Sequence, residues 1–170
     1  CCLFHAALSL WILGYPDQAL QSLREALTLA QALAHPPSLA PALDFATMLH
    51  QARREHQATY ERAEALMALA TEQGFAQHVA QATIMRGWAL AAQGQGAEGT
   101  AQMRQGLAAY RATGTERQCQ YYLALLAEAY GSIGQTAEGL SLLAEALATV
   151  DRPGERGWAA ELHRLQGEIL

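Results

Sequence analysis

The chain is short of charge: 16% of its 170 residues are charged and 51% are hydrophobic. That balance excludes a disordered polymer, whose composition runs the other way. Val and Ile are scarce, while Ala dominates with Leu, Gln and Glu behind it. The mix favours helix throughout, because Ala and unbranched side chains lose little rotamer freedom there. Basic surface is also missing. The formal net charge is -5, and Arg53-Arg54 is the best local positive pair. Nucleic acid is therefore not the expected partner, since phosphate binding needs a basic face. No apolar run reaches the roughly 18 to 20 residues that a membrane-spanning helix requires. Three cysteines, with Cys1 and Cys2 adjacent, make no disulfide framework and point to reduced thiols in a cytoplasmic protein.

What the chain does have is a period of 40 residues. Gly14, Arg54, Gly94 and Gly134 each fall at a break between two helical patterns. The similarity is direct between Gln93-Gly94-Gln95-Gly96-Ala97-Glu98-Gly99 and Ile133-Gly134-Gln135-Thr136-Ala137-Glu138-Gly139. Seven residues before each break stand Ala7, Thr47, Gly87 and Ala127, with Gly167 continuing the series; five after it stand Ala19, Thr59, Gly99 and Gly139. A fixed period of this length belongs to a stacked array, which presents surface rather than an active site.

Helix signals divide the chain further. Residues 1–13 form a first helix closed by Gly14, and Pro16 and Asp17 open a second that runs to about Leu33. His35-Pro36-Pro37 breaks the pattern, and Ser38 is expected to cap a third helix over 38–52 that holds Pro41 in its first turn. Further helices are expected over 56–73, 75–93, 96–112, 116–133 (capped by Thr115, with Gln118 at capping-box spacing) and 136–150. Asp151-Arg152-Pro153-Gly154 makes a turn before a ninth helix, 155–170. The repeats are then about 1–34, 38–74, 75–114 and 115–151 plus the last helix, one domain over 1–170, with turns tight inside pairs and longer between them. The chain starts and ends in mid-pattern and reads as a fragment of a larger protein.

Small residues choose the type of array. Gly94 leads to Gly99 and Gly106, Gly134 to Gly139 and Ala146, and Gly14 to Ala19 and Ala26. A missing side chain lets two helix axes approach, and a spacing of seven keeps both small residues on one face. This grid resembles the tetratricopeptide repeat, with each helix lengthened by nearly a turn. The fold expected is all-α, an α-solenoid of antiparallel helix pairs in a right-handed superhelix of about nine helices. The second pair departs from the grid, with Arg54 for the turn Gly, Thr59 and Leu66 for the small residues. A one-residue shift that would use Ala58 and Ala65 restores it.

From about residue 60 onward a closer resemblance appears. Gly87-Trp88-Ala89-Leu90, Ala124-Leu125-Leu126-Ala127-Glu128-Ala129-Tyr130, and the run from Gly154 through Trp158 to Glu168 resemble the C-terminal repeats of large bacterial signalling proteins. Those proteins join a class III nucleotide cyclase or a DNA-binding domain to a STAND-type regulatory ATPase. The resemblance implies a place in a larger protein and no activity of this piece. Neither a P-loop nor cyclase metal-binding carboxylate motifs occur here, so no enzyme and no cofactor are expected.

Candidate chemistry is thin. Cys1, Cys2 and His5 offer at most three of the four ligands zinc normally needs. His50, Arg53, Arg54 and His56 form a basic patch at one turn, where an anion site competes with solvated turn residues. The concave surface of the array is the stronger candidate, lined by the first helix of each pair. Counting from the small landmarks, one position after gives Leu8, Met48, Trp88, Glu128 and Glu168; three before gives Phe4, Asp44, Ile84, Ala124 and Arg164. Four after gives Trp11, Gln51, Ala91 and Gly131, and six before gives Cys1, Pro41, Gln81, Tyr121 and Glu161. The N-terminal half of this surface is apolar and the C-terminal half polar and acidic. Contiguous large apolar groups mark either a contact surface for a protein or peptide or internal packing. Phe4, Leu8, Ile84 and Trp88 stand where a carboxylate-gripping array has Lys and Asn, which excludes that clamp. Two functions remain open. One is an interaction or sensor module acting on the protein's own ATPase or cyclase domains. The other is a scaffold that packs on its own protein or dimerises through Cys1–Leu13 and Glu155–Leu170.

Overall fold

A computed structural model describes residues 2–116, 118–149 and 158–170, apart from the side chain of Cys2. Among them are nine α-helices and no strand: α1 (Cys2–Ile12), α2 (Pro16–Ala32), α3 (Pro36–Ala52), α4 (His56–Gln73), α5 (Ala76–Ala92), α6 (Gly96–Ala112), α7 (Cys119–Ser132), α8 (Thr136–Leu147) and α9 (Ala159–Ile169). Each helix packs on the next, and the odd-numbered helices also touch one another, α1 on α3, α3 on α5, α5 on α7 and α7 on α9. The architecture is an all-α repeat solenoid.

The backbone reverses on a period of 20, half that of the sequence repeat. Positive φ occurs at Gly14 (86°), Ala34 (47°), Arg54 (59°), Gly74 (69°), Gly94 (90°), Gly114 (77°) and Gly134 (76°). The next place in this series, Gly154, lies outside the described residues. At the first turn of each pair one residue closes one helix and opens the next. The N–H groups of Tyr15, Glu55, Gln95 and Gln135 donate to the carbonyls of Leu10, His50, Leu90 and Tyr130. Their own carbonyls accept from Ala19, Thr59, Gly99 and Gly139. This is the Schellman closure, which a left-handed residue makes possible.

Turns between pairs are as short as those within them up to α6, so the expected alternation of turn lengths appears only from the α6–α7 connection onward. Other boundaries move too. His35, not Ser38, precedes α3, with Pro36 at its first position, where a missing N–H costs nothing. Ser38 lies inside the helix, its Oγ 2.9 Å from His35 Nδ1. Pro41 therefore sits in the second turn rather than the first. Thr115 caps nothing: α7 begins at Cys119 behind Gln118, whose φ is 66°. The turn expected at 151–154 and the start of the last helix near 155 lie outside the described residues, and α9 is described from Ala159.

Even-numbered helices bury one stripe at i, i+4, i+7 and i+11. It is Ala19, Leu23, Ala26 and Ala30 in α2; Thr59, Ala63, Leu66 and Ala70 in α4; and Gly99, Met103, Gly106 and Tyr110 in α6. The one-residue shift in α4 does not happen. Thr59 and Leu66 are fully buried, while Ala58 is half-buried and Ala65 exposed. Leu66 is accommodated because it packs with Ala40, Leu43 and Ala82, two of them small.

The tightest crossing is α5 on α6. A Cβ on Gly99 would stand 2.5 Å from the Gly87 carbonyl oxygen and 2.6 Å from the Ala91 nitrogen. A Cβ on Gly87 would meet the Gly99 carbonyl at 2.7 Å. Neither can grow without parting the two backbones. Gly99→Ala should lower unfolding free energy by about 1–3 kcal/mol, the usual cost of overpacking. Ala34→Gly, at an exposed left-handed position, should raise it by up to about 1 kcal/mol. Urea denaturation of the two variants reads both signs, and an unchanged midpoint for Gly99→Ala would contradict the close crossing.

Candidate functional site

The twelve residues expected on the concave surface do not form an open groove, because the odd-numbered helices close on one another across it. Tyr121 Oη on α7 donates to Gln51 Oε1 on α3 at 2.8 Å, 70 residues away. Gln118 Nε2 approaches Met48 Sδ at 3.6 Å. Arg54, just past α3, pairs with Glu128 on α7.

Seven of the twelve are buried, and four of these, Phe4, Ile84, Trp88 and Asp44, lie away from the cavity described below. Phe4 packs with Ala26, Ala30 and Ala42, its ring 4.9 Å from that of Phe45. Ile84 is core and lies against Gly106. Trp88 is 3% exposed, with Arg54 over its ring at 5.9 Å and His56 edge-on at 5.3 Å. Its indole N–H reaches Glu128 Oε2 at 3.5 Å. Trp88 is thus withdrawn from the apolar surface expected on the inner face.

Asp44 is the fourth, and it is a buried acid. Gln81 Nε2 donates to its Oδ2 at 3.2 Å and approaches Gln118 Oε1 at 3.3 Å, so α3, α5 and the residue before α7 are joined in a ladder of side chains spaced 37 apart. Tyr122 Oη also donates to Gln118 Oε1. Asp44 Oδ1 and Gln81 Oε1 are buried acceptors without a donor among the described residues. A protonated carboxyl supplies a donor to this acceptor-rich spot. Burial accordingly pushes the Asp44 carboxyl up to about 7 from 3.8. Burial also holds the Tyr121 and Tyr122 hydroxyls well above their usual value, with the Asp44 charge adding to it.

The other eight (Leu8, Trp11, Met48, Gln51, Tyr121, Glu128, Glu161 and Arg164) line one cavity of about 500 Å³. It lies among α1, α3, α7 and α9. Ile12, Ala124, Leu125, Trp158 and Leu165 complete its apolar wall. Two ion pairs edge it, Arg54 with Glu128 and Arg164 with Glu161. Arg164 also contacts Glu168, and the Arg164 pairing lowers the Glu161 carboxyl. Sequence counting missed Trp158 and Arg54, which precede and follow their helices and so fall outside a count along helix faces.

The basic patch at the turn between α3 and α4 is engaged elsewhere. His50 Nδ1 and Arg53 Nε both contact Glu55, at 2.6 and 2.7 Å. With Arg54 on Glu128 and His56 on Trp88, it does not converge on an anion. Of the zinc candidates, Cys1 and the Cys2 side chain lie outside the described residues, and His5 packs beside Phe4 and Phe45.

No protein-family model matches the chain. It is similar to an uncharacterized protein of Rhizobium meliloti (strain 1021), 27% identical over 164 residues. That stretch covers 96% of this chain and 16% of the relative, so the chain spans about a sixth of that protein's length. Two crystal structures of nearly identical TPR-like repeats from a Podosopora anserina kinesin light chain-like protein, one of them a single-substitution form, superpose with a TM-score of 0.63. They are 18% and 19% identical in sequence, covering 99% of this chain and 91% and 92% of theirs. The likeness establishes the tetratricopeptide-like solenoid.

The Asp44 proton gives a pH signature. The folded state holds it up to about pH 7, whereas the unfolded chain releases it near 3.8. Stability from this group is therefore full below the unfolded value and falls as pH rises toward 7. Asp44→Asn keeps a donor and cannot ionise. It should be the more stable protein above pH 7, by at most about 4 kcal/mol, with the difference fading toward pH 4. Thermal melts across that range test it, and parallel curves for the two proteins would show that Asp44 does not titrate in the fold.

Proposed function

We propose that this chain is a non-catalytic interaction module whose partner inserts into the cavity among α1, α3, α7 and α9. The observation that carries the reading is the convergence of Trp11, Met48, Tyr121 and Trp158 on one space of about 500 Å³ in an array whose remaining inner surface is packed. Trp, Tyr and Met are the residue types enriched at interface cores. A concave volume of this size also lies within the usual range for binding sites. The fold supports the same conclusion, since tetratricopeptide-like arrays present surface.

The regulated element in this proposal is a signalling domain of the same polypeptide, a STAND-type ATPase with a nucleotide cyclase or transcription-factor domain. Its support is the resemblance of the Gly87, Ala124 and Gly154 segments to arrays in such proteins. The greater length of the Rhizobium relative accords with an array carried in a larger polypeptide. A partner held between α1 and α9 touches both the first and last described helices. It would therefore alter the curvature that the array presents to attached domains.

A second reading, a self-associating scaffold, has one observation in its favour. Ile12, Leu13, Leu29 and Leu33 are large apolar side chains more than half exposed at the first helix pair. A photo-reactive p-benzoylphenylalanine at Ala160, on the cavity rim, separates the two readings when placed in the full-length host protein in cells. A discrete adduct, internal or with another protein, that disappears on Trp11→Ala supports the cavity. Absence of any such adduct, together with dimers abolished by Leu29→Glu and Leu33→Glu in sedimentation velocity, supports the scaffold instead.

A further inference from the structure

We infer that the occupant of this cavity is an uncharged aromatic side chain together with its adjacent backbone carbonyl, offered by a peptide segment of the partner. The inference rests on the cavity being the binding site and adds what the site recognises.

Three features of the wall specify that chemistry. The first is its softness: Trp11, Trp158 and the Met48 thioether line it, and Trp158 stacks on Tyr121 at 4.9 Å and 33°. Ring faces, edges and sulfur favour an aromatic guest over an aliphatic one, through contacts that add to its area burial. The second is charge. The rim carries two cations and two anions already joined as Arg54–Glu128 and Arg164–Glu161. A charged guest would have to break a pair and lose its own hydration, whereas a neutral one leaves both intact.

The third is a spare amide donor. Gln51 is 5% exposed, and its Oε1 is held by the Tyr121 hydroxyl at 2.8 Å. Its Nε2 makes no hydrogen bond among the described residues and, unlike the buried unpaired acceptors Asp44 Oδ1 and Gln81 Oε1, keeps accessible surface in the wall. An amide with its oxygen fixed and its nitrogen open can donate to a guest's acceptor. The backbone carbonyl of an aromatic residue supplies a neutral acceptor a few bonds from the ring.

The test uses the 170-residue chain and reads its own tryptophan emission, since Trp11 and Trp158 are in the wall. Three probes that do not compete for that emission are titrated: toluene, N-acetyl-L-phenylalaninamide and L-phenylalanine. The amide should bind saturably, raise the melting temperature, and bind about three- to tenfold tighter than toluene, as one neutral hydrogen bond gives. Gln51→Leu should erase that advantage and leave toluene unchanged. Ala160→Trp, which plugs the mouth from an exposed position and removes no internal bond, should block both.

No saturable response to the amide at millimolar concentration, with helical circular dichroism intact, would overturn the inference. So would binding that survives Ala160→Trp. L-phenylalanine binding as tightly as the amide would overturn the peptide source, because it points to a free amino acid. If the probes fail while the Ala160 cross-link persists, the cavity still binds a partner by other chemistry. If the probes succeed and the cross-link is absent, the partner reading fails and the aromatic specificity stands.

Discussion

Everything in this array follows from the need to turn the chain around in about three residues, once every twenty. A residue in the left-handed region follows each helix from α1 to α7, and in the first turn of each pair the next residue serves both neighbours. Its N–H closes the outgoing helix and its carbonyl opens the incoming one. Helices of equal length result, α2, α3, α5 and α6 each having 17 residues. Few residues are left over for loops, where binding and catalytic groups usually sit. Whatever the chain recognises must be met by helix faces.

How the faces are used depends on closure across the superhelix axis. In an open array the inner positions of successive repeats look into solvent and can hold an extended peptide. Here α3 and α7 are bonded through Tyr121 and Gln51, and Arg54 reaches over Trp88 to Glu128. The ladder of Asp44, Gln81 and Gln118 fills the space between. What remains is a chamber near α1 and α9. Arg54 is central to this arrangement. It occupies a turn position where three of the four equivalents are glycine, and its side chain makes the longest-range ion pair described.

The array type and most helices were legible because periodicity reports which residues share a face. The stripe Gly99, Met103, Gly106 and Tyr110 is plain in the sequence once Gly99 and Gly106 are seen at spacing seven. The 20-residue recurrence of turns was equally present. It was obscured because Ala34 and Arg54 hold positive φ without being glycine, while Gly74 and Gly114 read as isolated helix ends. The state of the inner surface was not legible. Faces follow from local geometry, but the rotation between successive pairs depends on how deeply Thr59, Leu66 and Ala40 interlock, which no single repeat encodes. Hence Trp88 and Ile84 are closed into the core, Met48 is buried yet reaches the chamber wall, and Trp11 lines the chamber, although the same landmarks place all four on the inner face.

The cross-axis bonds also set this array apart from a linear stack. In an ordinary solenoid each repeat feels only its neighbours, so the ends can unravel while the middle persists. Contacts joining residues 70 and 74 apart add long loops that must close before they contribute. The helix pairs, held by near-sequence contacts, are the natural early structures, and the coil tightens around its axis last. A disturbance in α3 is then felt in α7 without passing through α5, and the chain melts more like a ring than a rod.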